Sequence, residues 1–328
     1  MSTSQSHGIG ETLRFAFIIV LIVGGGLATL ATVAAFFGEI WWGFDLAANY
    51  RWHLMWITLI SAILFALSAR GIATIVFIAA SLLNGWLIAP LWTGSQPPGT
   101  GEDGVRIVQI DMSGTVIDDG TVLRWLFDSG SDLIVISGIT RGRAAPLAAN
   151  GSPYRMLAAP LSPDLTGIVI LGRDAWRVDA TMTDAGDPVY RVSVASGNGR
   201  IDVVTTWGEM ATSGEAADAL DLRLAGIGQA MDTANNPVVV VGNVGATRWS
   251  KGMRALQSTY DLRDAAEGSG YLSTWPVSDL SIIGGWAGIP IDVVFMGPTL
   301  TPLELETGPD IGAEHLPVTV VVGPSFEN

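Results

Sequence analysis

Hydrophobic positions are distributed differently in the two parts of the chain. Before about residue 93 they form three uncharged runs, at 15–38, 52–69 and 71–92, whereas after residue 104 they form short runs separated by polar turns. Each long run can cross a hydrocarbon core of about 30 Å as a helix that rises about 1.5 Å per residue. The pattern predicts a membrane anchor over residues 1–93 that contains three transmembrane helices.

Aromatic and polar residues at the ends of these runs are typical of a membrane interface. Amphipathic rings settle at the level of the lipid headgroups, and five tryptophans lie at such positions: Trp41, Trp42, Trp52, Trp56 and Trp92. His53 could ligate a haem or a pigment, but its place beside Trp52 favours an interfacial polar residue. A cleaved signal peptide is disfavoured, because the first run is too long and two further runs follow it.

The few charges between the runs predict the orientation in the membrane. With the N-terminus inside, Arg14 and Arg70 lie in the cytoplasm and Arg51 lies outside, in agreement with the excess of basic residues on cytoplasmic loops. Three spans then place the rest of the chain outside the cytoplasm. We expect a protein of the bacterial inner membrane with a periplasmic C-terminal domain, in contact with membrane lipid and with membrane-protein partners.

A linker and a mixed domain are predicted after the anchor. Residues 94–104 are rich in Pro and Gly, which favours a linker, and residues 105–328 form the domain. Helical periodicity covers 118–129, 215–234 and 250–259. The predicted strands are 105–112, 132–139, 167–171, 178–182, 190–194, 201–207, 237–245, 289–297, 303–306 and 316–323. Because strands outnumber helices, we expect an α/β domain of two packed sheets covered by helices.

Charge and cysteine content exclude several classes of function. From Gly101 onward there are 14 Arg and Lys residues against 28 Asp and Glu residues, so the whole net charge of −14 lies in this part of the chain. An acidic surface disfavours nucleic acid as a partner, because phosphate contacts need clustered basic side chains. The absence of cysteine excludes disulfides, thiolate catalysis and zinc–thiolate sites. A small anionic ligand, such as a phosphate ester, stays compatible with this composition if a metal ion holds it.

Three strings in the predicted domain carry a resemblance to a known family. They are NNPVVVVGNVGATRWSKGMRAL at 235–256, GIPIDVVFMG at 288–297 and GPDIGAEHLPVTVVV at 308–322. In order and spacing they resemble the Gly-Asp-Phe-Asn, Ile-Asp-His and Ser-Asp-His segments of the endonuclease/exonuclease/phosphatase (DNase I-like) superfamily. The resemblance covers about residues 105–322. It implies a four-layer α/β sandwich and hydrolysis of phosphate esters with bound magnesium or manganese.

Several residues differ from those that the resemblance assigns to catalysis. Ser137 and Gly138 stand where the family has Gln-Glu, and that Glu binds the metal ion. In the Gly-Asp-Phe-Asn loop, Asn243 replaces the Asp and Gly245 replaces the Asn. Trp207 stands about where the family has a mid-domain His. Since members of a catalytic set act together, losing several of them should leave little hydrolysis.

Other positions keep a chemically useful side chain. Asp111 stands where the family has Asn, Asp292 is retained although the following His is Val293, and Glu314 and His315 stand where the family has Asp-His. Asp111, Asp292 and Glu314 are candidate metal ligands, because hard cations prefer carboxylate oxygens. The alternative is that Asp292 and His315 persist because they hydrogen-bond the loop backbone.

These observations leave three interpretations of function. The first is a non-catalytic, membrane-anchored interaction or scaffold subunit of a larger membrane complex, in which Asn243, Asp292, Glu314 and His315 are vestigial and no cofactor is needed. The second is a phosphodiesterase or phosphatase that uses magnesium or manganese in an altered site. The third is a module that binds a lipid headgroup or sugar phosphate without hydrolysing it.

Overall fold

The chain divides into two compact units, Met1–Pro90 and Leu91–Asn328, which we call unit 1 and unit 2. A computed structural model describes residues 3–68, 71–99, 104–114, 119–173, 177–182, 188–197, 199–276 and 284–326. The boundary between the units falls a few residues before the predicted linker at 94–104. Asp118, at the predicted start of a helix, and residues 100–103 of the linker lie outside the described residues.

The secondary structure of the described part of unit 1 consists of helices joined by short turns. Its helices are α1 (Thr3–Ala34), α2 (Trp42–Ala48), α3 (Arg51–Leu67) and α4 (Gly71–Ile88), and the one-turn helix α5 (Pro90–Thr93) crosses into unit 2. The predicted runs at 52–69 and 71–92 correspond to α3 and α4. The interval between the first two runs contains α2, which meets α3 at an angle of 74°.

The helices of unit 1 differ in how well they match a membrane span. Within the described residues, α4 is long and apolar enough to cross a membrane alone, and α2 with α3 passes as one broken span. The described apolar part of α1, Ile18–Ala34, is a shorter stretch. Three transmembrane helices therefore stay a prediction.

A polar cluster joins three helices inside unit 1. Arg51 is 1% exposed, and its Nη1 donates to the Thr32 carbonyl over 3.1 Å and to Asn84 Oδ1 over 3.2 Å. Asn84 Nδ2 in turn donates to Thr32 Oγ1 over 2.8 Å, and the Arg51 guanidinium lies 4.6 Å from the centroid of the Phe36 ring. Polar side chains inside apolar helix bundles need such partners, so the cluster holds α1, α3 and α4 in register.

Unit 2 contains two six-stranded sheets. The strands of the first, in spatial order, are β11 (Leu300–Thr307), β12 (Val318–Pro324), β1 (Val105–Asp111), β2 (Leu133–Thr140), β4 (Thr166–Gly172) and β3 (Arg155–Ala158). Those of the second are β5 (Arg177–Met182), β6 (Pro188–Ser196), β7 (Gly199–Thr205), β8 (Val238–Asn243), β10 (Asp292–Met296) and β9 (Arg263–Asp264).

The sheets stack face to face, and helices cover both outer faces. Alternate residues of β1, such as Val105 and Ile107, join residues of β8 and β10 in the core between the sheets. The other face of β1 packs with helix α6 (Asp119–Asp128), and the outer face of β8 packs with α8 (Gly214–Asp232) and α9 (Lys251–Tyr260). This is the predicted α/β sandwich, because apolar side chains on both faces of a strand require a layer on each side.

The prediction located the main elements and missed the short ones. Every predicted strand and helix of unit 2 has a counterpart, and Ser250 caps α9 by accepting a 3.4 Å hydrogen bond from Met253 N. The elements without a prediction are β3, β9, α7 (Arg141–Ala144), the 3₁₀ turn Ala145–Ala148 and α10 (Gly284–Ala287). None exceeds four residues, so none has a measurable period.

Residues Leu91–Gly99, the first of unit 2, lie along the rest of that unit and are called the strap here. Gln96 Nε2 donates to the carbonyl oxygens of Asp264 and Glu267 over 2.8 and 3.1 Å. Further bonds join Gly270 N to Leu91 O, Thr301 Oγ1 to Pro97 O, and Phe326 N to Pro98 O. The described part of the predicted linker is thus fixed to unit 2 by hydrogen bonds.

Candidate functional site

The retained polar residues meet at one edge of the two sheets, which we call the site edge. Asp111 is the last residue of β1, and Asn243 is the last residue of β8. Asp292 begins β10 and pairs directly with Asn243, because β10 runs antiparallel to β8. His315 lies three residues before β12, which runs antiparallel to β1. The topology therefore brings together side chains that are far apart along the chain.

Asp111 is the centre of the first of two buried networks. Its Oδ2 accepts hydrogen bonds from Trp207 Nε1 over 2.7 Å and from Asn243 Nδ2 over 2.9 Å, and its Oδ1 accepts one from Ser113 N over 2.8 Å. Asn243 also accepts a 3.0 Å bond from Gly245 N through its Oδ1. An amide suits position 243, because it donates to Asp111 and accepts from the backbone at the same time.

Asp292 is the centre of the second network. Its Oδ2 lies 2.8 Å from His315 Nδ1, and its Oδ1 accepts a 3.0 Å bond from Gln109 Nε2. Asp292 N donates to Thr274 Oγ1 over 3.3 Å, and the ring of Trp275 lies 6.1 Å from that of His315. The Asp292 and His315 side chains are 1% and 4% exposed, so the pair is shielded from water.

The surroundings of His315 favour its charged form. Burial alone would lower the pKa of the imidazole, but attraction to Asp292 and the hydrogen bond with it oppose burial. Asp111 and Glu314 add to the attraction, and the net result is a pKa raised above the ordinary value of a histidine. The Asp292 carboxylate thus stabilises the protonated form of the His315 imidazole.

Gly138 occupies a position that cannot take a side chain. Its φ is +66°, and a Cβ there would lie 2.3 Å from Ser113 N and 2.8 Å from Asp111 Oδ1. The strand is irregular here, since the register of β2 against β4 shifts between Ile136 and Ile139. A metal-binding carboxylate at this position would require the backbone to move.

Glu314 lies at the exposed rim of the site. It is exposed, and its carboxylate occupies the space beside Gly114, where a Cβ would lie 2.6 Å from it. Gly114 has a φ of +71° and follows the end of β1 by three residues. Glu314 therefore contributes to the potential at His315, but it belongs to the rim of the site.

The metal site predicted from Asp111, Asp292 and Glu314 stays a prediction, and the arrangement of the described residues bears on it. In the part of the chain that the structure describes, no group of three or more His, Asp and Glu side chains is arranged to hold a metal ion. All four carboxylate oxygens of Asp111 and Asp292 face donors of the protein itself. The residues present therefore do not fit the magnesium or manganese ion that the resemblance implies.

Two contributors to the site were not identified from the sequence. Gln109 lies on the face of β1 that points between the sheets, and Thr274 lies in the loop before the Asp292 strand. Gln109 carried a usable signal, since it is a polar residue between the apolar Val108 and Ile110 of a predicted buried strand. Thr274 carried none, because its role depends on a contact across 18 residues.

Comparisons with known proteins identify the fold. No protein family and no curated protein matches the sequence. Among solved structures, a humanised D. rerio TDP2 is 13% identical, with a TM-score of 0.53 over 67% of this chain and 99% of that one. The catalytic domain of human Nocturnin with a bound sulfate anion is 11% identical, with a TM-score of 0.53 over 71% of this chain and 100% of that one.

A third similar structure is a mannosyl-6-phosphatase of Bacteroides thetaiotaomicron. It is 12% identical, with a TM-score of 0.53 over 66% of this chain and 99% of that one. Other neighbours are described as endonuclease/exonuclease/phosphatase proteins, including one from Beutenbergia cavernae at 15% identity. At such low identity the likeness establishes the fold alone. Unit 2 has the DNase I-like fold.

Proposed function

We propose that this chain is a membrane-anchored, extracytoplasmic domain that has lost phosphoesterase activity and serves as an interaction subunit of a membrane complex. The observation that carries the proposal is the satisfaction of Asp111 and Asp292 by donors of the protein. Metal-assisted hydrolysis needs carboxylates that point at a cation, which then polarises the phosphoryl group. Here the carboxylates stabilise the protein instead.

The residues that differ from the family pattern support this proposal because they stabilise the Asp111 carboxylate, as a bound cation would otherwise do. Trp207 and Asn243 both direct N–H groups at one oxygen of Asp111. Two such donors stabilise a buried carboxylate by charge-assisted hydrogen bonds. Gly138 adds a steric reason, since a longer side chain there would collide with Ser113 and Asp111. Trp207, Asn243 and Gly138 thus all fit the same arrangement around Asp111, as expected of a site whose residues stabilise the folded protein.

The outer surface of unit 1 supports the anchor. Large apolar side chains are exposed along its helices, among them Val20, Leu30, Leu67, Ile72, Leu82 and Trp86, which are 66%, 67%, 81%, 84%, 67% and 72% exposed. Apolar faces of this extent are rare on soluble proteins and are stable in lipid. We infer that unit 1 is embedded in the inner membrane, with lipid and other membrane proteins as its neighbours.

A metal-dependent phosphodiesterase or phosphatase is the second candidate. The His315–Asp292 pair favours it, because a buried histidine with a raised pKa can donate a proton to a leaving group. The pair alone lacks a metal ligand set, and it is equally suited to a structural role. The two candidates differ in whether the intact protein binds a divalent cation at the site edge.

Calorimetric titration of magnesium and manganese into the purified full chain tests the choice. We expect no saturable heat for the wild type and no turnover of a phosphodiester substrate above the blank. The matched variants are Asp292→Asn in the site and Asp218→Asn on the exposed face of α8. Cation binding that Asp292→Asn abolishes and Asp218→Asn preserves would support the enzyme instead.

A further inference from the structure

We propose that the site edge of unit 2 contacts the lipid surface. The inference rests on the membrane anchor of the proposed function and adds a surface to it. Two separate features point to it: large apolar side chains exposed on both sides of the site edge, and the place at which the strap enters unit 2.

The first feature is a set of exposed apolar residues. Leu161 and Leu165 lie in the loop before β4 and are 97% and 58% exposed. This loop is at the site edge, since Thr166 pairs with Thr140 at the end of β2, and β2 is parallel to β1. On the other side, Trp286 is 44% exposed in α10, just before the start of β10.

The second feature is the path of the strap. Gly270 N donates to Leu91 O over 2.7 Å, and the neighbouring Tyr271 hydroxyl donates to Gly288 O over 2.9 Å, two residues after Trp286. The strap therefore begins beside the loop that carries Trp286. From there it continues to Pro97 and Pro98, which bond to residues at the far ends of β11 and β12. Leu91 is the first residue of unit 2 and lies three residues after the end of α4, so the chain enters unit 2 beside the site edge.

Side-chain chemistry at the strap agrees with a lipid surface as the occupant. Trp92 is 50% exposed, and its indole nitrogen would lie 3.6 Å from a Cβ on Gly270. Tryptophan combines an apolar ring with a polar N–H and concentrates at the headgroup level of bilayers. Trp92 and Trp286 together with Leu161 and Leu165 can therefore enter the interface while the backbone stays in water.

The charges of the edge predict which lipids it prefers. Asp164, Asp310 and Glu314 are exposed there, against the exposed Arg141. Acidic groups repel an anionic leaflet, and this repulsion acts over about a Debye length. We expect contact with zwitterionic phosphatidylcholine and weaker contact when anionic phosphatidylglycerol is added.

The absence of cysteine allows site-specific probes in the full chain. Leu161→Cys and Leu165→Cys would each be labelled with the fluorophore NBD, and the protein would be placed in phosphatidylcholine nanodiscs with or without doxyl-labelled lipid. Phe326→Cys is the matched control, because Phe326 is also apolar and 60% exposed but follows the far end of β12. We expect a blue-shifted emission and a loss of fluorescence with doxyl lipid at positions 161 and 165, and neither change at 326.

Each other outcome has a defined meaning. Unchanged emission at positions 161 and 165, or equal quenching at 326, in protein that co-elutes with nanodiscs would overturn the inference and leave the anchor intact. Labels at positions 161 and 165 could be shielded from iodide in native membranes and yet not be quenched by doxyl lipid in nanodiscs. That result would overturn the lipid contact and indicate that a protein covers the site edge. A full chain that does not incorporate into nanodiscs would instead contradict the proposed function.

Discussion

Asp111 illustrates at the scale of single residues how substitutions in the site depend on one another. Its Oδ2 receives two hydrogen bonds, from Trp207 and from Asn243, while Ser113 N occupies Oδ1. Replacing Asn243 by Asp would place two carboxylates in contact and remove a donor, which is costly in a buried site. Single reversions toward the family pattern should therefore destabilise unit 2 before they restore any chemistry.

His315 should make the stability of unit 2 depend on pH. The pKa of His315 is raised in the folded protein. Its contribution to the free energy of unfolding is therefore complete below the unfolded-state pKa of about 6.5, and it is lost as pH rises through the folded-state pKa. We expect the melting temperature of the full chain to fall through this effect above about pH 6.5. Thermal unfolding between about pH 5 and about pH 8 measures it.

Two histidine variants separate this effect from other titrations. His315→Gln removes the imidazole paired with Asp292 and should flatten that part of the pH profile. His53→Gln alters a histidine outside unit 2 and serves as the control for the loss of one imidazole. If the wild type and His315→Gln keep parallel profiles, the pair does not stabilise the folded state.

Strand β2 shows at the scale of an element how the backbone supports the site. The register shift between Ile136 and Ile139 is a bulge, and Gly138 supplies its left-handed residue. The bulge brings this part of the strand against Ser113 and Asp111, whose atoms leave no space for a Cβ. The position thus requires glycine both for its φ and for its neighbours.

Gly138→Ala should lower the free energy of unfolding considerably more than a Gly→Ala substitution at a position that has only a left-handed φ and no close neighbours. A left-handed conformation costs a non-glycine residue about 1–2 kcal/mol, and overpacking adds about 1–3 kcal/mol. Gly151→Ala is the matched control, because Gly151 has a φ of +88° and nothing lies within 4 Å of its Cβ position. We expect a loss of about 2–5 kcal/mol at position 138 against about 1–2 kcal/mol at 151 by chemical denaturation. Equal losses would show that the contacts around Gly138 relax.

The predicted orientation in the membrane belongs to the scale of the whole molecule. Arg14 and Arg70 on one side against Arg51 on the other predict a cytoplasmic N-terminus. A C-terminal fusion to alkaline phosphatase, which folds outside the cytoplasm, should be active, and the same fusion to green fluorescent protein should be dark. The reverse pair of results would place unit 2 in the cytoplasm. Arg51 is buried with Thr32 and Asn84. It therefore opposes the predicted orientation less than an exposed arginine in a loop would.

The sequence by itself determined the features that depend on neighbouring residues. The apolar runs of α3 and α4, the strands of both sheets and the Ser250 cap follow from periodicity and local hydrogen bonding. The order and spacing of three strings were enough to indicate the DNase I-like fold. The runs, strands and cap are local, because the forces that produce them act within a few residues of each other, whereas the three strings indicate the fold by resemblance.

Tertiary structure alone decided the state of the site, because the groups that satisfy each carboxylate come from other strands. Asp111 meets Trp207 across 96 residues and Asn243 across 132, and Gln109 meets Asp292 across 183. The sequence placed Asp111, Asp292 and Glu314 near one edge but could not show that donors of the protein occupy the first two and that the third lies on the rim. The same holds for the strap and for the Arg51 cluster, whose partners are set by packing and not by sequence spacing.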